Sequence, residues 1–159
     1  MSAQTEYGIN IPVGYAGLIY AQAPSDIVSR LVETSDGIPF GVAVSRGTDT
    51  ERQIELGGTD FLGITIRSLE EEGAANTGDI QWEESVSAGV MRNGYIWAVS
   101  VDGCTAGDSV NYVDADGTFG TGTAGAGETQ LDGASWETTA SAGDLAVIRL
   151  ETSETTAGS

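Results

Sequence analysis

Apolar residues alternate with small or polar ones through most of the chain after residue 37. Phe40, Val42 and Val44 alternate with Gly41 and Ala43, and Leu62, Ile64 and Ile66 with Gly63, Thr65 and Arg67. Tyr95, Trp97, Val99 and Val101 share one face of a longer run, with Ile96, Ala98 and Ser100 on the other. Val110 and Tyr112 form a short pair, and residues 145–150 the last strong strand. A period of two marks strands half-buried in a sandwich or barrel. Ile27, Val28, Leu31 and Val32 have a spacing that also suits a helix, but their β-branched residues allow a strand. We read 26–33 as a strand or an irregular segment.

The punctuation between these runs supports short strands. Arg92-Asn93-Gly94-Tyr95 is a hairpin signal, because Asn and Gly tolerate the positive φ of a type I′ turn. Asp36-Gly37, Asp102-Gly103, Asp116-Gly117 and Asp132-Gly133 are further turn candidates. Gly78-Asp79, Gly107-Asp108 and Gly143-Asp144 each open a strand-like run. Residues 118–127 are low in complexity and predict a flexible, exposed loop. In the first part of the chain Ile9, Ile11, Val13 and Tyr15 alternate through Gly8, Pro12, Gly14 and Gly17, which makes a poor regular strand and reads as an extended arm. The expected organisation is an arm over 1–36, a β-domain over 37–151 and a flexible tail over 152–159. The fold class is all-β, a small β-barrel or a jelly-roll-like sandwich with an extended N-terminal arm.

Charge narrows the function. The chain has 159 residues, with 24 Asp and Glu against 6 Lys and Arg, a net charge of −18. All six basic residues are Arg. Nucleic-acid binding needs clustered positive charge to displace phosphate counterions, and anionic membranes need the same, so neither is expected as a partner. Such acidity keeps a protein soluble and also fits a salt-rich setting, where screening acts within a few ångströms. The N-terminus carries no basic region followed by an apolar run, so a signal peptide is not expected, and synthesis in a cytoplasm is.

Catalytic and metal chemistry finds little support. The chain has no His and no Lys. That removes Ser–His and Cys–His nucleophile pairs, Schiff-base chemistry and imidazole ligands for zinc. Cys104 is the only cysteine and reads as a small inert side chain. Glu70-Glu71-Glu72 and Glu83-Glu84 are adjacent carboxylates that read as a solvated face rather than a hydrolase pair across a cleft. Asp114-Ala115-Asp116-Gly117 begins like a calcium loop, but the twelfth position is Gly125 where a Glu is needed, so a β-turn is the better reading. No catalytic residue, cofactor or metal site is expected. Trp97 lies in the most apolar strand and is expected in the core. Trp82 and Trp136 lie among polar residues, where a core or interface role competes with a sugar-binding platform. Arg46, Arg67 and Arg92 are candidates for ion pairs with acidic neighbours.

Four stretches together resemble the capsid cement (decoration) proteins of tailed phages. They are Gly37-Ile38-Pro39-Phe40-Gly41-Val42-Ala43-Val44-Ser45-Arg46-Gly47, Phe61-Leu62-Gly63-Ile64-Thr65-Ile66-Arg67, the run 86–107 with Arg92-Asn93-Gly94-Tyr95-Ile96-Trp97, and Ala142-Gly143-Asp144-Leu145-Ala146-Val147-Ile148-Arg149-Leu150. The strong acidity departs from that family's usual basic content. The resemblance implies a virion protein on the outer capsid surface that bridges capsomers, with the major capsid protein as partner and a dimer or trimer as its own state. It implies an arm anchored on a neighbour by Ile9, Ile11, Val13 and Tyr15, so that removing residues 2–20 abolishes capsid binding and leaves the fold intact. A carbohydrate-binding or host-attachment module of a virion is the alternative.

Overall fold

The computed structural model describes residues 14–20, 24–68 and 81–151, and the backbone of 156–157. Twelve strands run in chain order: β1 (Asp26–Val32), β2 (Ile38–Pro39), β3 (Ala43–Arg46), β4 (Gln53–Leu56), β5 (Phe61–Thr65), β6 (Gln81–Trp82), β7 (Ser87–Val99), β8 (Ser109–Val113), β9 (Phe119–Thr121), β10 (Glu128–Trp136), β11 (Leu145–Leu150) and β12 (Thr156–Ala157). There is no helix among the described residues, and so none long and apolar enough to cross a membrane. The protein is all-β, with a closed five-stranded barrel and extra strands.

The barrel is the ring β1-β4-β3-β5-β7, and β1 closes it. Leu31 and Val32 pair in parallel with Gln53 and Ile54 of β4, while the same strand runs antiparallel to β7 from Asp26↔Asn93 to Leu31↔Ser87. Residues 26–32 belong to the stretch expected as arm; they are a strand built into the ring. Val28 and Val32 pack inward, whereas Ile27 and Leu31 remain exposed. The barrel interior holds Val44, Ile54, Leu62, Ala88 and Val90, and Ile38 and Trp82 of the β2–β6 pair join the same cluster with Phe40, which follows β2.

β7 then leaves the ring and becomes the first strand of an open sheet, in the order β7-β11-β10-β8-β9. This corrects the expected hairpin at Asn93-Gly94: both residues lie within the 13-residue β7. Gly94 has φ +134°, a conformation that disfavours a side chain, and it pairs with Leu150 of β11. Just before it, a bulge sets Asn93 opposite Asp26 and Met91 opposite Ile27. The flexible pair therefore bends one strand between two sets of partners. Asp132-Gly133 is likewise not a hairpin turn but lies inside β10, where the register with β8 shifts between Leu131 and Ser135. Asp36-Gly37 and Asp116-Gly117 do lie at turns, and Gly107-Asp108 and Gly143-Asp144 precede β8 and β11.

The open sheet buries one face on the outer wall of the barrel. Trp136, Tyr112, Phe119, Ile96 and Ile148 cluster there with Ala43, Ile64 and Met91 from the ring strands. The Tyr112 hydroxyl donates to the carbonyl of Gly58 at 2.8 Å, and its ring packs on Phe61 with 5.5 Å between centroids. Residues 118–127 are only partly the loop expected: Phe119 begins β9 and is 1% exposed, and the chain turns to solvent after Thr121. The backbone of Thr156 and Ala157 pairs with β10, within the stretch expected as tail.

Candidate functional site

Tryptophan placement decides between the binding readings. Trp136 is fully buried and donates its indole N–H to the carbonyl of Gly120. Trp82 is 6% exposed, donates to the carbonyl of Ile66 at 3.0 Å and meets Phe40 edge-on. Neither offers a face to a sugar, so both take the core place and the competing platform reading falls. The expectation for Trp97 is corrected as well. Ile96, Ala98 and Ser100 face the core at 0% exposure, and Trp97 stands half-buried on the other side of β7. The small core-side residues leave room for Trp136 and Ile148 beneath them, and the larger side chains turn outward.

A separate stretch of chain covers that outward face. Residues 17–20 run beside β7: Gly17 N–H donates to the Trp97 carbonyl, Trp97 N–H to the Leu18 carbonyl, and Tyr20 N–H to the Tyr95 carbonyl, at 2.8–3.0 Å. Gly14 lies against the Trp97 indole, and Tyr20 meets the same ring edge-on at 5.5 Å. Gly17 also accepts from Arg67 N–H at 2.8 Å, with its φ at +84°. A Cβ there would come within 2.8 Å of that nitrogen. This segment is built into the fold, so the boundary for a deletion that spares the fold lies before residue 14, not after residue 20.

Of the four residues expected to anchor the arm, Ile9, Ile11 and Val13 lie outside the described residues. Tyr15 is exposed, and its ring lies under the Arg67 guanidinium at 4.8 Å, while Phe40 lies 5.4 Å from the same group. Arg67 stacks on aromatic rings here, and its nearest acidic neighbours in the chain, Glu70, Glu71 and Glu72, lie outside the described residues. Arg92 pairs with Asp26 at 3.0 Å and Arg46 with Asp60 at 3.8 Å, as the sequence suggests.

Beside this segment, at the seam between barrel and open sheet, is an apolar groove of about 400 Å³. Phe40, Val42 and Leu56 line it from the barrel side, Val99, Val101 and Phe119 from the sheet side, and Ala16 from the flanking segment. Asp116 is the one charged residue in its lining among the described residues, and exposed Asp102 follows Val101 in the chain. Val99 is 37% exposed and Val101 49%, with Tyr15, Ile19 and Tyr20 exposed nearby along the chain segment that flanks β7. The sequence placed Val99 and Val101 on one face. It gave no signal for the groove, whose walls come from five separate stretches.

Elsewhere the polar groups serve the fold. Cys104 is buried and its thiol donates to the Thr138 carbonyl at 3.3 Å. Asp116 Oδ1 accepts from the Thr118 amide and hydroxyl, and Asp114 Oδ1 from the Thr129 hydroxyl, as in a side-chain-capped turn. Glu70, Glu71 and Glu72 lie outside the described residues, and Glu84 is exposed. Among the described residues no group of three or more His, Cys, Asp or Glu is placed to hold a metal ion.

No curated protein sequence matches the chain. Among solved structures, a chain from the capsid of Myoviridae phage XM1 shares the fold, with a TM-score of 0.66 at 16% identity over 86% of this chain and 89% of that one. The head fiber gp8.5 N base of bacteriophage phi29 is similar at a TM-score of 0.46 and 10% identity, over 82% and 98%. The family model described as structural cement protein (E217 gp24/Pam3 gp6) matches residues 3–151. With nearly the whole chain matched, the protein belongs to the phage structural cement family and has a structural role in the capsid.

Proposed function

We propose that this cement protein sits on the outer surface of a phage head, binds the major capsid protein and bridges neighbouring capsomers. The family match over residues 3–151 carries this reading. Repetition supplies the strength: many modest contacts on a lattice give avidity without any single tight site. A dimer or trimer suits that arrangement, since each extra copy raises the number of simultaneous contacts.

The N-terminal arm supplies one of those contacts. Its alternating Ile9, Ile11 and Val13, continued by Tyr15, form an apolar edge suited to lying along a neighbour's strands. Residues 17–20 support this by tying the root of the arm to β7.

The test is a chain lacking residues 2–13, compared with the full chain for co-sedimentation with capsids stripped of the protein. The full chain should bind saturably at a fixed ratio to the coat protein. The shortened chain should lose that binding while melting at the same temperature. Equal binding by both chains would sink the arm model. Failure of the full chain to bind at any salt concentration would sink the capsid-surface reading itself. An antibody against the purified protein should also bind intact particles; a signal seen only after the heads are opened would place the protein inside.

A further inference from the structure

The groove between the barrel and the open sheet has a chemistry that selects its occupant. Its walls are apolar on both sides, from Phe40, Val42 and Leu56 to Val99, Val101 and Phe119. Water in such a space finds few hydrogen-bond partners, so an apolar side chain displaces it favourably. Charge at the sheet end is negative: Asp116 lines the groove, and Asp102 is exposed beside Val101. At the Phe40 end the nearby cation, Arg67, is already stacked between Phe40 and Tyr15.

We propose that this groove seats an extended apolar segment of the coat protein carrying Lys or Arg next to its apolar residues. The inference rests on the capsid-binding reading above and names the surface and the partner chemistry. Charge complementarity argues against a second copy as occupant. The chain has no Lys, and of its six Arg, Arg46, Arg92 and Arg149 are paired with acids of the same chain. Its residues 1–13 hold one Glu and no Lys or Arg. A basic-flanked segment meets the opposite situation, with its apolar residues between the walls and its cation at Asp102 and Asp116. Opposite charges of this kind raise the encounter rate and fall in effect with salt.

Two double variants of the full chain test this by co-sedimentation with stripped capsids across a salt series. Val99→Ser with Val101→Ser removes apolar wall from two side chains that are already partly exposed, so the fold should hold, with an unchanged melting temperature as the check. It should weaken binding by about tenfold or more at every salt concentration. Asp102→Asn with Asp116→Asn keeps the acceptor that caps Thr118, should weaken binding at low salt, and should flatten the salt dependence. Wild-type affinity in both variants, with the full chain still binding, overturns the groove assignment and leaves the cement role standing. A full chain that never binds removes both. A synthetic peptide of residues 1–13 is added to the chain lacking residues 2–13 as the remaining control. Saturable shifts of the Val99 and Val101 methyl signals would assign the groove to the protein's own arm and overturn the proposal; unchanged signals support it.

Discussion

The barrel and the open sheet solve the same problem in different ways. A strand edge with unpaired backbone groups invites association. The barrel removes its edges by closing, with β1 joined to β4 on one side and β7 on the other. The open sheet ends at the three-residue β9, too short to template much pairing. Their cores differ as well. The barrel is filled mainly by aliphatic residues such as Val44, Ile54 and Val90, whereas the sheet relies on Trp136, Tyr112 and Phe119 against the barrel's outer wall. The ring can bury its interior by itself. The sheet has only the ring to bury its face, so it is the dependent half.

The largest expected effect breaks that dependence. Trp136→Ala leaves a cavity where a fully buried indole stood and removes the bond to Gly120. Its cost should be about 3–5 kcal/mol. Amide hydrogen exchange shows where that cost falls. Amides of β8, β9 and β10 should lose protection first, while those of β1, β4 and β3 stay protected until global unfolding. Uniform loss across both halves would mean that barrel and sheet are one cooperative unit without a weaker partner.

A smaller effect sharpens the comparison at the strand the two halves share. Gly17→Ala forces a side chain into φ +84° and against the Arg67 amide. A residue held in that region costs about 1–3 kcal/mol. The barrel and the sheet should both keep their cores, and only the cover over β7 should loosen. Trp97 reports this directly, because residues 14–20 cover it while Trp82 and Trp136 are buried elsewhere. Tryptophan emission should shift to the red, and Trp97→Phe in the same background should abolish the shift. A red shift that survives Trp97→Phe would show that the substitution disturbs a core instead.

The two halves were also unequally legible in the sequence. The strands around Leu62–Ile64 and Val110–Tyr112 were clear as strands, and so was the all-β class, although a register shift against β3 sends Leu62 into the barrel and Ile64 to its outer wall. Closure of the barrel was not, because Ile27, Val28, Leu31 and Val32 fit two periods, and the parallel pairing of Leu31 and Val32 to Gln53 and Ile54 depends on partners 22 residues away. Alternation in β7 divided its residues between two faces correctly but did not say which face was inside. Size pointed the wrong way: Ala98 and Ser100 are buried and Trp97 is not, since the space under them is filled from other strands. Trp82 and Trp136 looked polar through their neighbours, yet in a strand those neighbours point to the opposite face. The groove combines five distant stretches and needs the fold before it exists. Asn93-Gly94 shows the remaining limit, since the local chemistry that permits a hairpin equally permits a bend within a strand.

The smallest effect separates the halves by pH. In the barrel, Glu33 directly follows β1, and its carboxylate accepts from the Thr48 hydroxyl and from the Thr48 amide at 2.7 Å. Those bonds hold its pKa below the ordinary carboxylate value. Their contribution is present above the unfolded value, near 4.3, and is lost as pH falls through the lowered folded value. In the sheet, burial pushes the Tyr112 phenol above its ordinary value, with Asp114 and Asp60 adding to the rise. Here the folded state holds its proton longer. Stability is therefore present below the unfolded value, near 10, and is lost as pH rises towards the folded one. Acid should thus loosen the β1 corner and alkali the sheet. Melting curves across pH check this: Glu33→Gln should flatten part of the acid limb only, and Tyr112→Phe part of the alkaline limb only. An alkaline limb unchanged in Tyr112→Phe would assign that loss to general repulsion in a chain of net charge −18, a force that does not distinguish barrel from sheet.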